Sequence, residues 1–137
     1  RMFIIDCEPF SDSEDLTQEE QEILKNFRKT FINAKIVKEE GEEWGFNEGC
    51  LSIPDVREDV FRKEKITIEY YDEEFNKHTD VYDGLIARVI QHEYDHLEGV
   101  LFVEKLKPLK KKLIQRKLND IKLGKAEADY KIKFARI

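Results

Sequence analysis

The residues with the clearest chemistry lie in one short stretch, His92-Glu93-Tyr94-Asp95-His96, which contains a His-Glu-x-x-His pattern. Histidines four positions apart lie on one face of a helix, so His92 and His96 can bind one cation together. Glu93 follows His92 and can reach a water molecule on that cation. The combination is typical of a metal site that performs hydrolysis. The alternative is three polar core residues held by hydrogen bonds, since short motifs also occur by chance.

The segment from Leu85 to Leu97 has the apolar spacing of a helix that is buried over a broad face. Two neighbouring stripes run along it, Leu85, Val89, His92 and His96 on one and Ile86, Ile90, Glu93 and Leu97 on the other. Asp83-Gly84 is expected to open this helix, and Gly99 is expected to end it. Two histidines and a carboxylate on a buried face are costly unless a metal ion or hydrogen bonds satisfy them.

A hydrolytic metal site with two histidines needs a further protein ligand and one open position. Downstream, Phe102 occupies the position at which long-motif metalloproteases have their third histidine. Glu104 is too near to the two histidines to be the third ligand, and Glu127 lies in a polar tail. Upstream, Cys50 lies in a glycine-bounded extended stretch, and a thiolate is a good ligand for zinc or ferrous iron. Cys50 can equally be a small buried residue, which is the interpretation we prefer for Cys7 in its apolar strand.

The remaining sequence predicts an α+β fold, with antiparallel sheets packed around the central helix and a second helix near the C-terminus. Strands are expected over residues 2–7, 31–37, 56–62, 65–72, 75–82 and 100–103. A turn is expected at Gly41, and a hairpin turn at 72–77. Thr17, with Glu20 three positions on, predicts the start of a short helix, and Pro108 that of a helix ending near Leu123. We treat residues 1–137 as a single domain.

Composition excludes several classes of protein. Acidic residues outnumber basic ones by 30 to 24, for a net charge of -6. That balance argues against general or sequence-specific nucleic-acid binding. No apolar run is long enough to span a membrane. Two cysteines are too few for a disulfide framework and favour a reducing compartment. Residues 105–125 differ, with nine basic residues and one acidic residue.

Two motifs together resemble those of the peptide deformylase family. They are Glu48-Gly-Cys-Leu-Ser52 and Gln91-His-Glu-Tyr-Asp-His-Leu97, in that order and at the family's spacing. The intervening strands and the helix after Pro108 fit as well, so the resemblance covers nearly the whole chain. It implies a metal-dependent hydrolase that removes the formyl group from the N-terminal formylmethionine of newly made polypeptides. The alternatives are a zinc metallopeptidase and a non-catalytic, metal-braced fragment of a deformylase.

The resemblance also implies roles for individual residues. One divalent ion, Fe²⁺ in the cell with Zn²⁺, Ni²⁺ or Co²⁺ able to substitute, is expected on Cys50, His92 and His96. Glu93 is expected to act as general acid and base, and the backbone N–H of Leu51 as an oxyanion donor. The positions expected to bind substrate are Phe46, Gly49, Arg57, Leu85 and Val89.

Further expectations concern the surroundings of this site. Gln91 or Asp95 could hold a ligand imidazole, and the stem of Arg88 could lie on the pocket rim. His78 is expected at the surface. In the basic helix, the residues expected to face the core are Leu109, Leu113, Leu118 and Ile121.

The resemblance implies partners and a location. The substrates would be formylmethionyl nascent chains in the bacterial cytoplasm, with an organelle as the alternative. The basic helix 108–123 would either be a solvated face or contact the ribosome. The family also has a Gly-x-Gly-x-Ala-Ala-x-Gln segment just before the strand that begins at Met2. This sequence lacks that segment, so we expect a chain truncated at its N-terminus.

Overall fold

The structure is a computed structural model that describes residues 1–134. Its strands and helices, in chain order, are β1 (Met2–Asp6), α1 (Gln18–Asn26), β2 (Arg28–Cys50), β3 (Ile53–Tyr71), β4 (Lys77–Asp83), α2 (Gly84–Leu97) and α3 (Pro108–Lys122). Short 3-10 helices lie at Glu8–Phe10 and Phe102–Lys105. The strands form one sheet in the order β1-β2-β3-β4, and the pairs β1–β2 and β3–β4 are antiparallel. The predicted α+β class is confirmed.

The chain divides into two compact units. Unit 1 contains residues 1–43 and 62–100, and unit 2 contains residues 44–61 and the chain from Leu101 onward. Each unit has a separate group of buried apolar side chains. The long strands β2 and β3 each contribute residues to both units, because the unit boundaries fall within them.

The core of unit 1 is built around an aromatic group. The ring of Phe31 stacks on Phe3, with 4.9 Å between centroids, and packs against Tyr70 at 4.5 Å. From α2, Ala87 and Ile90 are fully buried in this core. This apolar face fixes the rotation of α2 and therefore the direction in which its polar side chains point.

The core of unit 2 joins the start of β3 to the C-terminal part of the chain. Its buried residues are Ile53, Val56, Val60, Phe102, Val103 and Leu106. From α3, Ile114, Leu118 and Ile121 pack against them. Leu109 and Leu113 were also expected to face the core, but they are 70% and 69% exposed, so that expectation is wrong for both residues.

The helix boundaries follow the local signals in the sequence. Thr17 caps α1 through two reciprocal hydrogen bonds with Glu20. The Thr17 side chain accepts from the backbone N–H of Glu20, and the Glu20 carboxylate accepts from the backbone N–H of Thr17. Gly99 follows α2 with a positive φ of 73°, as expected of a glycine that ends a helix. Pro108 is the first residue of α3. These predicted helices are confirmed.

Three predicted elements differ from the structure. No turn occurs at Gly41, because β2 runs through it. The strands expected over 56–62 and 65–72 are one strand, β3, which also includes Pro54. The strand expected over 100–103 is absent, and Phe102–Lys105 form a 3-10 helix instead.

Candidate metal centre

Helix α2 presents the two histidines and Glu93 side by side. The rings of His92 and His96 have centroids 5.0 Å apart and planes inclined at 82°. All three side chains are partly exposed, whereas Ala87 and Ile90 on the core face of α2 are fully buried. The helix therefore carries two potential metal ligands and one acid on a solvent-accessible side.

Cys50, the last residue of β2, completes a group of potential ligands. One ligand atom from each of Cys50, His92 and His96 lies within 4.8 Å of the other two. Metal–ligand bonds of about 2.0–2.3 Å let donors at such separations share one ion. A thiolate with two imidazoles suits zinc or ferrous iron, and three protein ligands leave a position open for reaction. The donor set therefore fits a catalytic metal ion.

Other candidate ligands do not belong to this group. The carboxylate of Glu104 accepts a hydrogen bond from the backbone N–H of Leu101 at 2.9 Å, and Glu127 is exposed in the tail. Cys7 is fully buried in the core of unit 1. Burial raises the pKa of the Cys7 thiol to about 11, which keeps it protonated at neutral pH. The interpretation of Cys7 as a buried core residue is confirmed.

Polar residues of α2 anchor the helix to β3. Gln91 donates through Nε2 to the backbone carbonyls of Lys63 and Ala87, both at 3.1 Å. Arg62 donates through Nη1 to Oδ2 of Asp95 at 2.6 Å. Arg88 is 2% exposed and belongs to the core of the fold, so the expectation that its stem lies on a pocket rim is wrong.

Gly49 and Arg57 are packed directly together. A Cβ atom at Gly49 would lie 2.6 Å from Nη1 of Arg57, so a side chain there would force the guanidinium to move. Arg57 also donates through Nε to Oδ1 of Asn47 at 3.0 Å and through Nη2 to its backbone carbonyl at 2.6 Å. The two bonds to Asn47 therefore hold the exposed guanidinium on β2, beside Gly49.

The other expected substrate-side residues lie as follows. Leu51 is in the two-residue turn between β2 and β3 and is 77% exposed. Phe46 is half-buried and packs edge-to-face on Trp44, with centroids 5.6 Å apart. Leu85 and Val89, one turn apart on α2, are half-buried against the core of unit 1.

The third histidine makes a separate pair. Nε2 of His78 lies 2.6 Å from Oδ2 of Asp72, and the His78 ring stacks on Tyr70 at 5.3 Å. Its side chain is 37% exposed, so it is only partly a surface residue. The bond to His78, supported by the backbone N–H groups of Asn76 and Glu74, lowers the pKa of Asp72 to about 2.

Comparison with known proteins agrees with this geometry. Residues 1–112 match the model of the family described as polypeptide deformylase. The chain belongs to this family. It is 67% identical over 135 residues to the peptide deformylase of Flavobacterium johnsoniae, covering 98% of this chain and 69% of the relative. It is 66% identical over 133 residues to that of Flavobacterium psychrophilum, covering 97% and 69%. The prediction of a deformylase is confirmed.

Solved deformylase structures have the same fold. A Plasmodium falciparum peptide deformylase in complex with an inhibitor aligns with a TM-score of 0.65 at 39% identity, covering 68% of this chain and 60% of that one. The enzyme of Legionella pneumophila aligns with a TM-score of 0.63 at 38% identity, covering 76% and 61%. The aligned part is thus under two thirds of these deformylase chains. No helix among residues 1–134 is long and apolar enough to cross a membrane.

Two contacts near the deformylase motifs were not predicted from the sequence. Arg62 bonds to Asp95, and no local pattern in the sequence indicates that contact, since it joins residues 33 positions apart. Tyr130, in the polar tail, donates its hydroxyl to the backbone carbonyl of Leu51. Nothing in the local sequence indicates that contact, since it joins residues 79 positions apart.

Proposed function

We propose that this chain carries the catalytic centre of a peptide deformylase and that Cys50, His92 and His96 hold its metal ion. The observation that supports the proposal is the approach of three ligand atoms within 4.8 Å, two of them on the helix that carries Glu93. The donor types, their number and the adjacent acid are those of a hydrolytic site.

The chemistry divides between the ion and the protein. A divalent ion held by Cys50, His92 and His96 would lower the pKa of a bound water molecule to about 7 and would polarise the formyl carbonyl. Glu93 accepts the proton of the attacking water and then delivers it to the amine that leaves as the formyl group is cut off. The backbone N–H of Leu51 donates to the oxygen that becomes negative in the transition state.

The residues that we propose for substrate recognition are those implied by the resemblance to deformylases. Phe46, Leu85 and Val89 supply apolar surface for the methionine side chain. Arg57 presents its guanidinium to the substrate backbone, since two bonds to Asn47 fix its position beside Gly49. A fixed arginine loses little side-chain entropy when it binds a carbonyl group.

Iron is the metal that we propose for the protein in the cell, with Zn²⁺, Ni²⁺ or Co²⁺ able to replace it. A thiolate and two imidazoles accept all of these ions, so availability decides which one is bound. Both ferrous iron and the Cys50 thiolate are open to oxidation. The relatives in Flavobacterium are bacterial, and we infer that this protein works in the bacterial cytoplasm, where formylated nascent chains are made.

The proposal is tested on protein purified without oxygen. Metal content is measured first, followed by hydrolysis of a formyl-methionyl tripeptide, its acetyl counterpart and an internally cleavable peptide. Release of formate from the first substrate alone is the expected result. Cleavage of internal peptide bonds would instead favour a metallopeptidase. A bound metal without any turnover would favour a non-catalytic fragment.

We also propose that α3 brings the protein to the ribosome. Its exposed residues Lys111, Lys112 and Arg116 form a basic surface on an otherwise acidic protein. Leu109 and Leu113 are exposed on the same helix and could add apolar contact. A cationic surface of this kind attracts RNA phosphates, and the attraction weakens with salt.

A further inference from the structure

The turn that carries Leu51 is exposed, yet it is contacted by the C-terminal part of the chain. Leu51 is 77% exposed, and Ser52 beside it is also exposed. The hydroxyl of Tyr130 donates to the backbone carbonyl of Leu51. An exposed two-residue turn has few neighbours to hold it, so one hydrogen bond from outside has a large effect on its order.

The tail reaches this turn because it reverses direction after α3. Gly124 follows the helix with a positive φ of 72°, which is costly for any residue with a Cβ. Atoms of the Phe134 side chain lie 3.3–3.4 Å from the position that a Gly124 Cβ would occupy. The end of the tail therefore folds back onto its start, and Tyr130 lies in the loop between them.

Helix α3 makes two further contacts with the residues after the turn. Lys117 donates through Nζ to the backbone carbonyl of Asp55, a non-glycine residue with a positive φ of 58°. Nζ of Lys110 lies 2.9 Å from Oε2 of Glu58, whose side chain is only 17% exposed. The C-terminal segment thus contacts residues 51, 55 and 58 in succession.

We propose that Tyr130 is a positioning residue for the Leu51 turn. This inference rests on the proposed function, in which the Leu51 N–H donates to the oxyanion. Holding the Leu51 carbonyl restricts the backbone rotation of that residue and so the direction of its N–H. A donor to a developing oxyanion must be aimed before the reaction, because reorientation during the reaction costs rate. Tyr130 itself touches no reacting atom.

The first test does not depend on activity. Amide hydrogen exchange is measured residue by residue at Leu51, Ser52 and Ile53 in the wild type and in Tyr130→Phe. Loss of one hydrogen bond should speed exchange there by about fivefold. Gly124→Ala, which strains the tail reversal, should have the same effect. Tyr71→Phe, which removes a hydroxyl in unit 1, should not. Unchanged exchange in Tyr130→Phe would overturn the proposal.

The second test separates positioning from folding. In Tyr130→Phe, kcat for a formyl-methionyl tripeptide should fall by about 3- to 10-fold, with KM within twofold, because the oxyanion exists only in the transition state. Metal content and Tm should match those of the wild type. If the wild type were active and Tyr130→Phe were equally active, the positioning role of Tyr130 would be overturned. If the wild type released no formate while exchange were faster in the variant, the proposed function would be refuted. The contact between Tyr130 and Leu51 would still be supported.

Discussion

Arg62 on β3 and Asp95 on α2 form an ion pair that is almost closed off from solvent. Nη1 of Arg62 lies 2.6 Å from Oδ2 of Asp95, and the two side chains are 4% and 15% exposed. Asp95 lies between Glu93 and His96 in the sequence. The pair therefore holds the turn of α2 that carries Glu93 and His96 against β3. Breaking a shielded pair from one side removes a bond from a charge that water cannot reach to compensate.

Replacing the arginine should therefore be costly. Arg62→Met is expected to lower the free energy of unfolding by about 3–5 kcal/mol. Arg28 provides the matched control, because its bond to Asp6 is also 2.6 Å long but the side chains are 69% and 39% exposed. Arg28→Met should cost much less, because water screens an exposed ion pair and such pairs contribute little. Urea denaturation measures both variants, and equal losses would show that burial of the pair does not matter.

The sequence predicted the helices better than the strands. Helix α1 has a capping box and α3 begins with proline, and such signals act within a few residues. The sequence predicts a turn at Gly41, yet Gly41 lies within β2 with a positive φ of 82°, which is strained for any residue with a Cβ atom. A glycine required by a positive φ within a strand has the same local sequence as a turn glycine.

Burial was harder to predict because it depends on distant partners. The run from Met2 to Cys7 was expected to be a buried strand, but Met2 and Ile4 are 53% and 60% exposed while Phe3 and Ile5 are buried. A continuous apolar run does not reveal whether both faces of the strand are covered. Phe102 and Val103 are buried as expected of an apolar run, but in a 3-10 helix. Short apolar runs do not determine the type of element.

The candidate metal ligands could be proposed from the sequence because their signal is one of residue type and spacing. His92 and His96 needed only the helical repeat, whereas Cys50 was selected among several candidates by the resemblance to deformylases. Cys50→Ser should weaken binding of Co²⁺ by at least about 100-fold, since loss of a ligand exceeds the effect of a supporting residue. Cys7→Ala removes the other thiol and should leave Co²⁺ binding unchanged.

Absorption from a Co²⁺–thiolate bond gives the readout for both cysteine variants. The band should be present in the wild type and in Cys7→Ala and absent in Cys50→Ser. If Cys50→Ser kept the band, or if Cys7→Ala lost it, the assignment of Cys50 as a ligand would be wrong.

Glu93 should be needed for turnover and not for metal binding. Glu93→Gln keeps the size of the side chain but cannot accept the proton of the attacking water. We expect kcat for a formyl-methionyl peptide to fall by about 10²- to 10⁴-fold with metal content unchanged. Glu127→Gln, an equivalent change in the tail, should leave both quantities unaltered. Near-normal activity of Glu93→Gln would make Glu93 a structural residue.

The Asp72–His78 pair should stabilise the β3–β4 hairpin in a pH-dependent way. Hydrogen bonding lowers the pKa of Asp72 from 3.8 to about 2. Its stabilising contribution is therefore complete above about pH 4 and is lost as the pH falls through 2. Asp72→Asn keeps an oxygen for the backbone N–H groups of Glu74 and Asn76 but removes the charge. It should lower Tm at pH 6 and have a smaller effect at pH 3. A Tm difference that stays constant with pH would contradict this assignment.

A test of ribosome binding through α3 must avoid the lysines of this helix that also stabilise unit 2. Lys110 is paired with Glu58, and Lys117 donates to the backbone of Asp55. Replacing either would disturb unit 2 as well as the charge. The informative variant therefore changes only Lys111, Lys112 and Arg116 to Gln.

A control variant changes Lys25, Lys35 and Lys65 to Gln, which are exposed and lie in unit 1. Both variants lose three positive charges, so a difference between them reports the position of the charge and not its total. Co-sedimentation with ribosomes is measured across a salt series. The α3 variant should bind more weakly and with a shallower dependence on salt, because fewer counterions are released from the RNA. Hydrolysis of a short formyl peptide should be the same in both. Equal binding of the two variants at low salt would mean that α3 is only a solvated face.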